Sequence, residues 1–146
     1  MLIGFLINPI AGMGGRIGLK GTDNVIDQAI QLGAKPVESA KAARALMLLH
    51  EMLKSETPQP ACEWVTCSGD MGEDVIREAG FETVQVVHET AEPPTIQDTK
   101  DAAGAFARAG VDLILFCGGD GTARDITQVV GGNTPVLGIP SGVKMY

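Results

Sequence analysis

Gly118-Gly119-Asp120-Gly121-Thr122 is the stretch of this chain whose residue types and spacing suit chemistry. It follows the apolar run Val111-Asp112-Leu113-Ile114-Leu115-Phe116-Cys117 and precedes a helical pattern over residues 122–130 that stops at Gly131-Gly132. A strand, a glycine turn and a helix start form a phosphate-binding arrangement. Glycines let the backbone turn sharply and approach a ligand, while free N–H groups and the positive end of the helix dipole face it. Asp120 is the unusual member, because a carboxylate repels phosphate. It makes sense if it holds a cation or takes a proton from a hydroxyl that attacks the phosphate. The plainer alternative is a tight strand–helix turn with Asp120 as the helix cap.

A second glycine turn follows the first apolar run, residues 1–7. Asn8-Pro9-Ile10-Ala11-Gly12-Met13-Gly14-Gly15-Arg16 gathers three glycines within four residues just beyond a strand. The Asn8 side chain can fix the turn, and Arg16 can supply positive charge. No Gly-Lys-Ser/Thr follows, so this is no Walker A loop, and the spacing is not GxGxxG. Alone it reads equally well as a flexible loop.

These turns must be held by a scaffold, and the intervening chain supplies one. Helices are expected over residues 22–32, 39–55, 69–79, 95–109 and 122–130, and strands over residues 1–7, 63–67, 83–88, 111–117 and 134–139. Along residues 39–55, Ala42, Ala45, Leu46, Leu49, Met52 and Leu53 recur at helical spacing, which gives that helix a face to bury. His50 on the same helix reads as solvated or structurally satisfied. Asp70 with Glu73, and Thr95 with Asp98, have capping-box spacing. His88 at a strand end could be catalytic, although a lone strand-end histidine is more often structural. The resulting order, β-α-α-β-α-β-α-β-α-β, predicts a three-layer α/β/α domain with a mainly parallel sheet and right-handed crossovers. Ligands of such sheets bind beyond the C-terminal strand ends, where the strand order reverses. Both glycine turns lie at that edge, and Asp98 and Thr99, at a helix start on the same edge, are further site candidates.

Composition narrows the function. With 146 residues the chain reads as one domain, and 45% hydrophobic residues with 19 glycines suit an α/β core with many tight turns. A net charge of −7 argues against nucleic acid or an anionic membrane as partner. No run reaches the roughly 18 apolar residues of a membrane helix. The first strand begins without a basic leader, so a cytoplasmic protein without a signal peptide is expected. Cys62, Cys67 and Cys117 lie in or beside apolar runs without CxxC spacing and read as reduced core thiols.

Taken together, the NPxAGxGG stretch of residues 8–15, GGDGT with Ala123-Arg124-Asp125 after it, and the terminal Gly138-Ile139-Pro140-Ser141-Gly142 resemble the superfamily of NAD kinases, diacylglycerol and sphingosine kinases and 6-phosphofructokinases. The likeness is greatest to the ATP-NAD kinase/AcoX-like branch and spans residues 2–146. It implies an NAD kinase N-terminal, phosphofructokinase-like fold. It also implies phosphoryl transfer from ATP or polyphosphate to the 2′-hydroxyl of NAD, with Mg²⁺ accompanying the nucleotide.

Carried onto this sequence, the resemblance makes Asp120 the base for the acceptor hydroxyl. It places Gly118, Gly119, Gly121 and Thr122 against phosphate or ribose. Asn8, Pro9, Gly12, Gly14 and Gly15, with Gly142, fall on the nucleotide. Asp125 stands where lipid kinases of the superfamily carry a glutamate, and equally reads as the capping partner of Thr122. No residue is singled out as a metal ligand. NAD is the implied partner, and assembly into a homo-oligomer is common among such kinases. Lipid kinases continue with Gly-Thr-x-Asn-Asp, whereas this chain has Gly142-Val143-Lys144-Met145-Tyr146, which turns the reading away from lipid acceptors. The resemblance further implies a β-rich second domain that completes the acceptor site, making this chain the N-terminal half of a longer kinase. Two alternatives stand beside NAD phosphorylation: another hydroxyl acceptor (a lipid or small polyol), or nucleotide binding without activity of its own.

Overall fold

The computed structural model describes residues 1–8 and 38–141. Five strands form the sheet: β1 (Leu2–Ile7), β2 (Glu63–Cys67), β3 (Val84–His88), β4 (Leu113–Gly118) and β5 (Val136–Pro140). Four helices accompany them: α1 (Glu38–Ser55), α2 (Glu73–Glu78), α3 (Ile96–Ala109) and α4 (Asp120–Val130). The helix expected over residues 22–32 lies outside the described residues.

Every strand pair is parallel, and the spatial order is β3-β2-β1-β4-β5. Continuous apolar runs such as Leu2–Ile7 make sense in this setting, because a parallel sheet covered on both sides buries alternate residues on opposite faces. Ile3, Phe5 and Ile7 pack with Trp64, Leu115 and Cys117 against Ala42 and Leu46 of α1 and Val75 and Ile76 of α2. Leu6, Val65, Ile114 and Phe116 pack on the other side against Ala102, Ala103 and Phe106 of α3 and Ile126 and Val130 of α4. The three layers predicted from the sequence are therefore present, with α1 and α2 on one face and α3 and α4 on the other.

Two local expectations change. Asp70 and Glu73 form no capping box: residues Gly69–Met71 make a 3-10 turn, Gly72 becomes the N-cap of α2, and no side chain caps it. Met71 is fully buried in the core, and seating it there separates the turn from the helix. The second box does form, with Thr95 capping α3 and its hydroxyl accepting from the Asp98 N–H. His50 is satisfied as expected, its Nδ1 lying 2.7 Å from the Ala79 carbonyl while the ring packs on Phe81. Among the described residues, no helix is long and apolar enough to cross a membrane.

Candidate functional site

The chain leaves β1 toward β2 and β3 on one side and returns to place β4 on the other, so the strand order reverses between β1 and β4. The C-terminal ends of these two strands are stitched together. The Asn8 N–H donates to the Cys117 carbonyl at 2.9 Å, and the Asn8 side-chain amide donates to Thr122 Oγ1 at 3.0 Å. The second bond joins residues 114 positions apart in sequence, and Thr122 is 3% exposed. Asn8 and the GGDGT stretch, singled out separately in the sequence, thus meet at the switch point, where α/β sheets bind their ligands.

The glycines in that stretch answer different needs. A Cβ on Gly118 would sit 2.6 Å from Thr122 Oγ1 and 2.7 Å from Thr122 Cβ, so strand and helix approach too closely for any side chain there. Gly119, the N-cap of α4, has an ordinary extended backbone (φ −113°, ψ −168°), and no described atom lies within 4 Å of a Cβ built on it. Neither strain nor packing among the described residues requires a glycine at 119. A glycine also leaves the backbone open to close approach.

α4 begins at Asp120, two residues earlier than the sequence suggests. The first helical bond runs from the Ala123 N–H to the Gly119 carbonyl, at 3.0 Å. The preceding N–H groups have no partner within the helix, and no side chain among the described residues caps them. Asp120 is therefore not the cap; it is an exposed carboxylate in the first turn of the helix. The Thr122–Asp125 capping pair does not form, because Thr122 already lies inside the helix and its hydroxyl serves Asn8. Asp125 instead lies 3.7 Å from the Lys100 ammonium of α3.

Asp98 and Thr99 are buried at the C-terminal end of β3, the outermost strand on its side, two strands from the crevice. Asp98 Oδ1 accepts from His88 Nε2 and the Ala91 N–H, both at 3.0 Å. Its Oδ2 accepts from the Thr95 N–H at 2.8 Å and the Thr95 hydroxyl at 2.7 Å. Burial alone would raise the pKa of this carboxyl; bonds from Ala91, Thr95 and His88 outweigh it and hold the group well below the usual carboxylate range. That saturated cluster ties the 89–95 loop to α3. Pro9, Gly12, Gly14, Gly15, Arg16 and Gly142 lie outside the described residues.

Two residues at the crevice escaped the sequence reading. The Ser141 N–H donates to the Gly118 carbonyl at 3.0 Å, extending the β4–β5 pairing, and the Ser141 carbonyl accepts from the Lys41 ammonium at 2.7 Å. Lys41 sits in the first turn of α1, where its spacing is that of any exposed position on an amphipathic helix; only the fold brings it to this edge. The thiols nearby are inert. Burial, reinforced by the charge of Glu38 and opposed by that of Lys41, pushes Cys117 up to about 12. Cys67 is likewise pushed to about 12, by burial and by Asp98.

The strand-order switch is thus edged by an asparagine, a glycine N-cap and a first-turn aspartate. Comparison with protein families matches residues 3–146 to the ATP-NAD kinase N-terminal domain. The chain belongs to this family. No curated protein and no solved structure matches it. Membership agrees with the all-parallel, three-layer architecture and supports a kinase-like, nucleotide-binding function for the domain. Among the described residues, no group of three or more His, Cys, Asp or Glu could hold a metal ion.

Proposed function

We propose that this chain is the nucleotide-binding domain of an NAD kinase-like phosphotransferase, which moves a phosphoryl group from ATP or polyphosphate to the 2′-hydroxyl of NAD. The observation that carries the proposal is the junction of Asn8 with Thr122 beside the open N-cap at Gly119. Phosphoryl transfer asks the protein mainly for positioning and charge neutralisation. The uncapped N–H groups at the start of α4 would take phosphate oxygens, and the helix dipole would favour their charge. Asp120 would accept the proton of the acceptor hydroxyl as its oxygen bonds to phosphorus and the bond to the departing phosphate breaks. Mg²⁺, held by the phosphates with Asp120 as the nearest exposed carboxylate, would supply further charge neutralisation.

The acceptor site and the β-rich second domain are parts of the same proposal. A kinase for another hydroxyl acceptor, and a nucleotide-binding domain without activity, are its two competitors.

The test is thermal unfolding with Mg-ATP and, separately, with NAD, for the wild-type chain and Asp120→Asn. Ligand at 100 times Kd adds about 2.7 kcal/mol, which for a domain of this size is roughly 5–10 °C in Tm. The wild type should shift with Mg-ATP. In a polypeptide that turns over, Asp120→Asn should lose about 10²–10⁴-fold in rate while keeping most nucleotide affinity. A shift with NAD alone would reverse the donor and acceptor assignments. No shift with Mg-ATP would remove the nucleotide reading from this chain.

A further inference from the structure

We infer that the Lys41 ammonium is a phosphate-binding group of the nucleotide site, positioned by the backbone carbonyl of Ser141. The inference rests on the nucleotide-binding reading of the crevice and adds to it a charged side chain among the described residues. A nucleotide triphosphate brings several negative charges to a chain whose own net charge is −7. Helix N–H groups offset part of that repulsion, and a side-chain cation aimed at the same edge offsets more.

The position of Lys41 is fixed by two consecutive hydrogen bonds. Its ammonium donates to the Ser141 carbonyl at 2.7 Å, and the Ser141 N–H donates to the Gly118 carbonyl at 3.0 Å. A single residue therefore links the cation to the first glycine of GGDGT. A separate observation agrees: the Lys41 charge acts on the thiol of Cys117, the residue just before Gly118.

Among the described residues the partner of Lys41 is a neutral carbonyl, and the ammonium carries two further N–H donors. Arg77 and Lys100, by contrast, are paired with Glu73 and Asp125. Lys41 is exposed, whereas Ser141 is 2% exposed and its hydroxyl has no partner among the described residues. The anchoring residue is thus buried and the cation is reachable. Glu38, one turn earlier on α1, is the nearby opposing charge, but it is fully buried and faces Cys117. The same helix carries Lys54 in its last turn, at the far end from this edge.

Amine footprinting with a water-soluble acylating ester, read by mass spectrometry, tests the inference directly. Mg-ATP and, separately, tripolyphosphate should each protect Lys41 while leaving acylation of Lys54 unchanged. Titration of variants gives the second arm. Lys41→Met should bind both probes about 10- to 100-fold more weakly, the loss expected for one charge-assisted bond. Lys41→Arg should recover most of that affinity, and the unliganded Tm of both variants should stay within a few degrees of wild type. Unchanged Lys41 acylation in a wild-type protein that binds Mg-ATP would overturn the role of Lys41 and leave the nucleotide reading standing. Wild-type affinity in Lys41→Met would do the same. A wild-type protein that binds neither probe would overturn the nucleotide reading and this inference with it.

Discussion

Replacing Gly119 with alanine should separate what the fold needs from what the ligand needs. The native backbone at 119 (φ −113°, ψ −168°) suits an L-residue, and a Cβ there meets no described atom within 4 Å. Two small terms then oppose each other. Alanine lowers the entropy of the unfolded chain, worth about 0.4–1 kcal/mol, but is a poorer N-cap than glycine by a similar amount. Stability should stay within about 1 kcal/mol of wild type, or roughly 3 °C in Tm. Gly118→Ala is the control. Its methyl would lie 2.6–2.8 Å from three side-chain atoms of Thr122, a buried β-branched residue that has little freedom to turn aside. Overpacking of this kind costs about 1–3 kcal/mol. Thermal unfolding of both variants, followed by titration with Mg-ATP, makes the comparison. Gly119→Ala should fold normally and lose about tenfold or more in affinity, because its methyl stands where phosphate must approach the backbone. Should Gly119→Ala unfold as early as Gly118→Ala, the glycine would belong to the fold. If it binds Mg-ATP like wild type, phosphate does not approach this face.

The Asn8–Thr122 contact can be measured by a double-mutant cycle of Asn8→Ala and Thr122→Val in denaturant unfolding. A coupling of about 0.5–1.5 kcal/mol is expected for a neutral, partly buried hydrogen bond, and strict additivity would mean that the bond contributes nothing. Asp98→Asn removes an acceptor that serves two donors of Thr95 and should cost about 2–3 kcal/mol near neutral pH. The pH dependence follows from the lowered carboxyl pKa. A carboxylate with a folded-state pKa below its unfolded value of about 3.9 stabilises fully above that value, and the contribution fades as pH falls toward the folded value. Wild type should therefore lose stability below about pH 4 and Asp98→Asn should lose less; parallel pH profiles would contradict the assignment.

What the sequence made legible was local. Short, mostly apolar runs marked all five strands to within two residues at each end, because a doubly covered parallel sheet favours apolar residues on both faces. The Thr95–Asp98 box was legible because both partners lie within one turn. The same spacing misled at Asp70–Glu73, where the demand of Met71 for the core reset the backbone. It misled again at Thr122, which spacing alone cannot distinguish from a cap. There the tertiary bond from Asn8 claims the hydroxyl, and the helix starts at Asp120. Lys41 was invisible for a related reason: nothing within α1 separates it from any solvated lysine, and its partner lies 100 residues away.

The same distinction decides among the carboxylates that the sequence offered to the site. Asp98, Asp125 and Asp120 all stood near helix starts on the right edge of the sheet. In the folded chain Asp98 is saturated by four hydrogen bonds, and Asp125 faces the Lys100 ammonium across the α3–α4 contact. The bonds to Asp98 favour its charged form and make it a poor proton acceptor, and Asp125 is turned toward the helix contact. Asp120 is exposed in the first turn of α4, beside the open backbone at Gly119, and serves no capping role. The positive end of the helix dipole favours a carboxylate in that turn; under the proposed function the same carboxylate would meet a substrate hydroxyl, or a cation travelling with the phosphates.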